Sequence, residues 1–171
     1  MQKPEDIIMS YKENRYKVFE MFRKQWALAT AGSPDDFNTC TIGWGSLGSI
    51  WDNDRTIVTI YINEDRYTWE YLMKNELFTV AFFPPEYRRD LQVLGTTSGR
   101  DKDKVAMTSL HPQEVKGTVT FQEAELTFVC KKLYADQFHR ELLAKEISEG
   151  IYKDWHPHYM FVGEIIDVIQ K

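Results

Sequence analysis

The sequence predicts an antiparallel β-barrel with α-helices at its periphery, and three observations lead there. Short runs rich in β-branched and aromatic residues recur along the chain, among them Ala27 to Ala31, Asn38 to Gly45, Arg55 to Ile62, Phe78 to Phe83 and Tyr159 to Ile169. The run from Arg55 to Ile62 is apolar on both faces apart from its threonines, which suits a closed or covered sheet. Helical stretches are inserted between strands without the regular alternation that marks a parallel α/β sheet.

Taken in order, residues 1 to 12 read as a loose polar arm, after which Tyr16, Phe19, Met21, Phe22 and Trp26 recur at broadly helical spacing. Gly32 to Asp36 ends the first strand, and Asn38 to Gly45 and Arg55 to Ile62 are expected as neighbouring strands. Arg66 to Asn75 reads as a short helix with Tyr71 and Leu72 inward. Phe78 to Phe83 is a buried strand stopped by Pro84 and Pro85, which cannot donate to a ladder. Glu86 to Leu94 is a second helix, Gly95 to Arg100 a turn, and Asp101 to Leu110 a third helix with Asp101 as its cap. Val115 to Phe121 and Ala124 to Leu133 are expected to pair, Leu126, Phe128 and Cys130 pointing inward. Gln137 to Ser148 is helical by composition, and Tyr159 to Ile169 closes the chain as a strand.

At 171 residues the chain is expected to form one domain over 1–171, with a core that needs no disulfide staples. A net charge of −5, with Arg88-Arg89 and Lys131-Lys132 as no more than pairs, argues against a nucleic-acid partner. Cys40 and Cys130 sit in apolar runs without metal-ligand spacing, so buried thiols and a cytoplasmic location are expected. The polar start and the absence of a membrane-length apolar run leave no expected export signal or membrane partner.

The chemistry gathers around Asn38 to Trp51, NTCTIGWGSLGSIW. Gly43, Gly45 and Gly48 let backbone approach a ligand, and Trp44 and Trp51 supply flat walls for a planar molecule with polar edges. A glycine-rich turn whose tryptophans belong to the core fits the same residues. The three glycines also spell GxGxxG, but a dinucleotide fold needs a helix to open there. Asp52-Asn53-Asp54 and the strand from Arg55 instead make a hairpin. Arg66-Tyr67-Thr68 opens a helix with a guanidinium and a hydroxyl, a competent phosphate site, though Arg66 could equally pair with Glu64 or Asp65 at the surface. Ser98-Gly99-Arg100 with Lys104 is a second such device, or a solvated helix start. His156-Pro157-His158 lacks a third ligand at a helpful spacing, so no metal is expected. No nucleophile elbow is present, and a cofactor enzyme needs none.

Five blocks carry a resemblance: NTCTIGWGSLGSIW from Asn38, INEDRYTWEYL from Ile62, FTVAFFPPEYR from Phe78, GTTSGRDKDK from Gly95 and, more weakly, HYMFVGEI from His158. With them the chain resembles the flavin reductase-like family of FMN-binding split-barrel proteins, in its flavoredoxin-like branch. The resemblance implies a Greek-key split β-barrel and a homodimer with one FMN per subunit near the interface. It implies that Asn38, Thr39, Thr41 and the backbone of Ile42, Gly43, Trp44 and Gly45 line the ring and ribityl chain. Arg66, Tyr67 and Thr68 then form the phosphate block, and Ser98, Gly99, Arg100 and Lys104 close over the cofactor. His158 lies near the flavin as the catalytic candidate. Cys40 stands where the family more often has methionine, and Phe138 to Trp155 matches least well. The implied activity is reduction of bound FMN by NADH or NADPH. The alternatives are an FMN electron carrier that serves a redox partner protein without nicotinamide, and a pyridoxamine phosphate oxidase-like or purely binding role on the same fold.

Overall fold

The computed structural model describes residues 11–171. A short helix α1, Val18–Glu20, runs on as a π-helical turn, Met21–Gln25, and enters strand β1, Ala27–Ser33. There follow β2, Asp36–Ile42; β3, Gly45–Ser49; β4, Thr56–Ile62; helix α2, Tyr67–Lys74; and β5, Leu77–Phe82. Helix α3, Arg88–Thr96, precedes a hairpin of β6, Pro112–Val115, and β7, Thr118–Phe121. Strand β8, Leu126–Gln137, the four-residue helix α4, Lys145–Ser148, and β9, Tyr159–Gln170, complete the chain.

Seven strands form one antiparallel sheet in the order β2-β1-β5-β8-β9-β4-β3, and β6-β7 is a separate two-stranded ribbon. The sheet is covered on both faces. One core holds Phe22, Val58, Ile60, Phe78, Phe82, Phe128 and Phe161. The other, under α3 and the β6-β7 ribbon, holds Leu28, Ala81, Phe83, Leu91, Leu94, Leu110 and Phe121. Double coverage explains why strands here alternate apolar residues with threonine: a buried hydroxyl needs a partner, and each finds one close by. Thr30 Oγ1 meets Thr39 Oγ1 at 2.8 Å, Thr79 Oγ1 donates to the Val119 carbonyl at 2.7 Å, and Thr120 meets Thr127 at 2.9 Å.

Four expectations change. The hairpin partner of Thr56–Ile62 is the glycine-bearing Gly45–Ser49, while Asp36–Ile42 pairs with β1, so β2 ends where the glycines begin. Gly45 is needed there because a Cβ would run into the buried Phe22 ring, a packing reason and not a ligand one. No helix opens at Asp101; only a 3₁₀ turn, Val105–Met107, forms, with Asp103 accepting from the Ala106 N–H. Pairing of 115–121 with 124–133 is replaced by the β6-β7 hairpin, which turns at Lys116-Gly117 with both residues at positive φ. β8 instead pairs with β5 and β9. It runs to Gln137, so the expected helix from there shrinks to a 3₁₀ turn, Arg140–Leu142, and α4.

Of the expected loose arm, residues 1 to 10 lie outside the described residues. Tyr11 is buried against Thr56, its hydroxyl bonded to Thr56 Oγ1, and Lys12 Nζ donates to the Asp54 carbonyl, so the arm's end is docked.

Candidate functional site

Strand β2 is an edge of the large sheet, so every second backbone N–H and C=O along it faces away from the ladder. Two hollows meet along its end. The first, about 140 Å³, is lined by Cys40 to Trp44, Tyr61, Ile62, Asn63, Arg66, Trp155 and His158. The second, about 330 Å³, is lined by Trp26, Thr41, Ile42, Gly43, Leu91, Gln92, Gly95 and Thr96. Thr41, Ile42 and Gly43 belong to both. Trp26 reaches the second hollow through a strained backbone, φ 67° and ψ 165° for a bulky residue, with the Arg88 guanidinium 3.0 Å over its ring.

His158 closes the first hollow from β9's approach. Its ring lies 4.7 Å from Trp44 and 4.8 Å from Trp155, the latter edge to face. Tyr152 Oη is 2.9 Å from His158 Nδ1. Burial among these rings pushes the imidazole down to about 4; Asp65 opposes this and Arg66 adds to it. Trp155 is pinned in turn, its Nε1–H donating to Asp65 Oδ2 at 3.1 Å. Asn63, almost fully buried, fixes the turn below: its Nδ2 donates to the His156 carbonyl at 2.6 Å, and its own carbonyl accepts from the Arg66 N–H at 3.0 Å.

Arg66 precedes α2, and its Nη1 donates to the Gly95 carbonyl at 3.0 Å, which ties the end of α3 to the start of α2. Its Nε lies 3.7 Å from Asp65, so the surface pairing and the cleft lining occur together. Thr68 is fully buried and accepts from Asn38 Nδ2 at 2.8 Å, while Thr39 is buried on Thr30 and the Ala29 carbonyl. Thr41 Oγ1 donates to the Leu91 carbonyl. Thr41, Ile42, Gly43, Trp44, Arg66 and His158 are therefore brought together along the first hollow, with Asn38 and Thr68 behind it.

The second block is placed differently. Arg100 binds Glu70 and the Asp65 carbonyl and lies 4.7 Å over Tyr67, so it braces α2. Ser98 Oγ accepts from the Arg100 N–H, and Gly99 leaves room for the Asn38 side chain, which a Cβ would strike. Lys104 is buried, its Nζ donating to the Leu94 carbonyl at 3.0 Å near the end of α3. Burial holds its pKa below the ordinary value; the Cys40 thiol opposes this and Arg66 adds to it. Lys104 lines neither hollow. Gly45 lies on β3, beside the surface hollow of Tyr16 to Glu20 and Leu47, and not in the cleft.

Sequence reasoning missed Tyr61, Asn63, Tyr152 and Trp155. Asn63 was legible as an Asx turn before a helix, its Oδ1 accepting from the Asp65 N–H at 3.2 Å. The others had no local signal.

Residues 20–171 match the model of the flavin reductase like domain, and the chain belongs to that family. Among solved structures it is similar to an FMN-binding protein from Thermus thermophilus with bound p-hydroxybenzaldehyde, at 20% identity over 85% of this chain and 71% of that one, with a TM-score of 0.68. It is similar to a flavoredoxin from Methanosarcina acetivorans, at 22% identity over 86% and 68%, TM-score 0.66. A protein from Shewanella frigidimarina, described as a flavin reductase with a split barrel domain, aligns with 100% of this chain and 80% of its own at 13% identity, TM-score 0.68. No curated protein matches the sequence. The fold is thus the antiparallel split barrel of these proteins, with its helices peripheral. No helix among the described residues is long and apolar enough to cross a membrane.

Proposed function

We propose that this chain is an FMN-binding oxidoreductase that takes reducing equivalents from NADH or NADPH. The observation that carries the reading is the pair of hollows that meet along Thr41 to Gly43 in a member of this family. A tricyclic ring with a phosphorylated side chain needs flat walls, donors at a polar edge, and length. Trp44, Tyr61 and Trp155 give walls; the edge backbone of Ile42 to Trp44, Arg66 and His158 give donors. The first hollow alone is below the roughly 300 Å³ at which ligand sites begin, and its continuation past Gly43 supplies the length.

In this reading Arg66 and the N-terminal backbone of α2 hold the phosphate, with Thr68, Asn38, Ser98, Gly99 and Arg100 fixing that end of the helix. Bound FMN would supply an electrophilic centre that accepts hydride and returns electrons, which no side chain here can do. The protein supplies position, a neutral imidazole and exclusion of water. A homodimer follows from the same reading, because Phe19 and Trp51, 84% and 60% exposed beside an edge strand, are large apolar groups that a second copy would cover. The chain then works as one unit, in the cytoplasm.

The purified protein should carry flavin that is released as FMN and not FAD on denaturation. Arg66→Ala should weaken FMN by about 1.5–3 kcal/mol, the range for a charge-assisted contact; an unchanged dissociation constant assigns Arg66 to the surface pair with Asp65. Anaerobic mixing of the holoprotein with NADH and with NADPH should bleach the flavin absorbance. No bleaching refutes the reductase and leaves a second reading, an electron carrier for a redox partner protein. The narrowness of the first hollow, about 140 Å³ with Trp155 across it, favours that second reading.

A further inference from the structure

We propose that Tyr152 sets the ring tautomer of His158, holding it as a neutral imidazole that accepts at Nδ1 and carries its proton on Nε2. His158 then meets whatever enters the cleft as a hydrogen-bond donor.

The assignment follows from counting protons around one oxygen. The Tyr152 hydroxyl has one proton to give and two lone pairs. The His158 backbone N–H approaches Oη at 3.4 Å and can only donate, so one lone pair is engaged. Nδ1 lies 2.9 Å from the same oxygen. If Nδ1 carried a proton it would take the second lone pair, and the phenol proton would need an acceptor elsewhere. Tyr152 is 3% exposed and its hydroxyl has no other partner among the described residues. That alternative leaves a buried O–H unpaired, which folded proteins rarely tolerate. With the phenol donating to Nδ1, every polar group around that oxygen is paired, and a neutral ring must then carry its proton on Nε2, the nitrogen on the side of the hollow.

The surroundings keep the ring neutral. Trp44, Trp155 and Tyr152 pack on it as uncharged rings. The charged groups near it are Asp65 and Arg66, which act on it in opposite senses. Asp65 is already engaged by Trp155 Nε1 and by Arg66 Nε. Nε2 has no hydrogen-bond partner among the described residues, and His158 lines the first hollow. A ligand that offers a carbonyl oxygen or an unprotonated ring nitrogen there is matched, and one that offers an N–H is opposed. Tyr152 is thus a positioning residue acting through His158, and its link to cofactor chemistry rests on the function proposed above. It comes from the segment between β8 and β9.

The test is nitrogen-15 NMR of the histidine side chains in the flavin-free full chain at neutral pH. The four histidines are distinguished by the loss of one set of signals in His158→Asn. His158 should show a protonated, pyrrole-type Nε2 and a pyridine-type Nδ1. Tyr152→Phe should move both nitrogens toward the tautomer-averaged position. A pyrrole-type Nδ1 in the wild type overturns the proposal, and so do His158 signals unmoved by Tyr152→Phe. Should that variant not fold, the wild-type spectrum is read instead for the hydrogen bond itself: a pyridine-type Nδ1 shifted by a donor supports the Tyr152 contact, and an Nδ1 without that shift overturns it. FMN titration of the same sample, followed by quenching of flavin fluorescence, is independent: the expected tautomer with no FMN binding upholds the role of Tyr152 and removes the functional reading.

Discussion

Acidification should weaken this fold through His158, and the size of the effect can be worked out. In the unfolded chain the imidazole titrates near 6.5, whereas burial among Trp44, Tyr152 and Trp155 holds it at about 4 in the folded protein. Between those values the unfolded chain binds a proton that the folded chain refuses. The residue's contribution is therefore fully present above about pH 6.5 and is lost as the pH falls toward about 4. At ~1.36 kcal/mol per pH unit, the interval from 6.5 to about 4 corresponds to about 3 kcal/mol. For a chain of this length that is roughly 6–12 °C in Tm.

The assay is urea unfolding at a series of pH values from 8 down to about 4.5, at constant salt, for the wild type and His158→Asn, which has nothing to titrate at that position. The variant will start from a lower stability because it loses the Tyr152 bond, so the informative quantity is the difference between the two curves as a function of pH. Exposed groups such as the His139–Asp136 pair titrate in both proteins and cancel. The wild type should approach the variant steadily below pH 6.5. Parallel curves would show that His158 titrates normally and that the packed aromatic cage is not its environment in solution.

Other expectations follow from single contacts. Lys132 Nζ donates to the Leu72 and Met73 carbonyls at the end of α2, so Lys132→Met should cost roughly 1–2 kcal/mol in urea unfolding. An unchanged midpoint would mean that water replaces those bonds without loss. Gly45→Ala should cost roughly 1–3 kcal/mol because its Cβ would enter the Phe22 ring. Gly48→Ala, with nothing within 4 Å of its Cβ, should stay within about 0.5 kcal/mol, and the two midpoints measured together separate packing from backbone effects.

Much of this was legible because it is local. Apolar residues interspersed with threonine marked β1, β2, β4 and β5, a β-branched apolar run marked β9, and Pro84-Pro85 marked where β5 stops. The errors came where pairing is decided at a distance. Val115 to Phe121 has the same pattern whether it pairs with the following strand or folds back on itself, and Lys116-Gly117 at positive φ chose the second. Gln137 to Ser148 is rich in helix formers, but β8 pairs with β9 out to Gln137–Tyr159, and that ladder overrides propensity. At the candidate site, the glycine, threonine and arginine signals of 38–45 and 66–68 fall at the end of β2 and the start of α2, where Thr41, Gly43 and Arg66 line one hollow. The placement of Lys104 was not legible, because its loop opens no helix and the buried ammonium turns to the Leu94 carbonyl.

The division has a physical consequence for the cleft. Its floor, Thr41 to Gly43, and its cationic end, Arg66, belong to elements held by the sheet and by α2 and α3. Its outer wall, Trp155, with Tyr152 buried behind His158, comes from the segment between β8 and β9, which carries only a 3₁₀ turn and the four-residue helix α4. That wall is anchored by a few named contacts: Trp155 to Asp65, Arg140 to the Tyr152 and Trp155 carbonyls, and Gln137 to the Pro157 carbonyl. In the function proposed above, floor and wall would then vary independently, the floor keeping one kind of planar ligand while the wall decides what else is admitted beside it. Removing the Asp65–Trp155 bond by Trp155→Phe tests that separation. FMN affinity should change little, because Arg66 and the β2 backbone are untouched and phenylalanine keeps an aromatic wall at 155, while the rate of flavin bleaching by NADH or NADPH should change. A large loss of FMN affinity with an unaltered rate would show that wall and floor act as one.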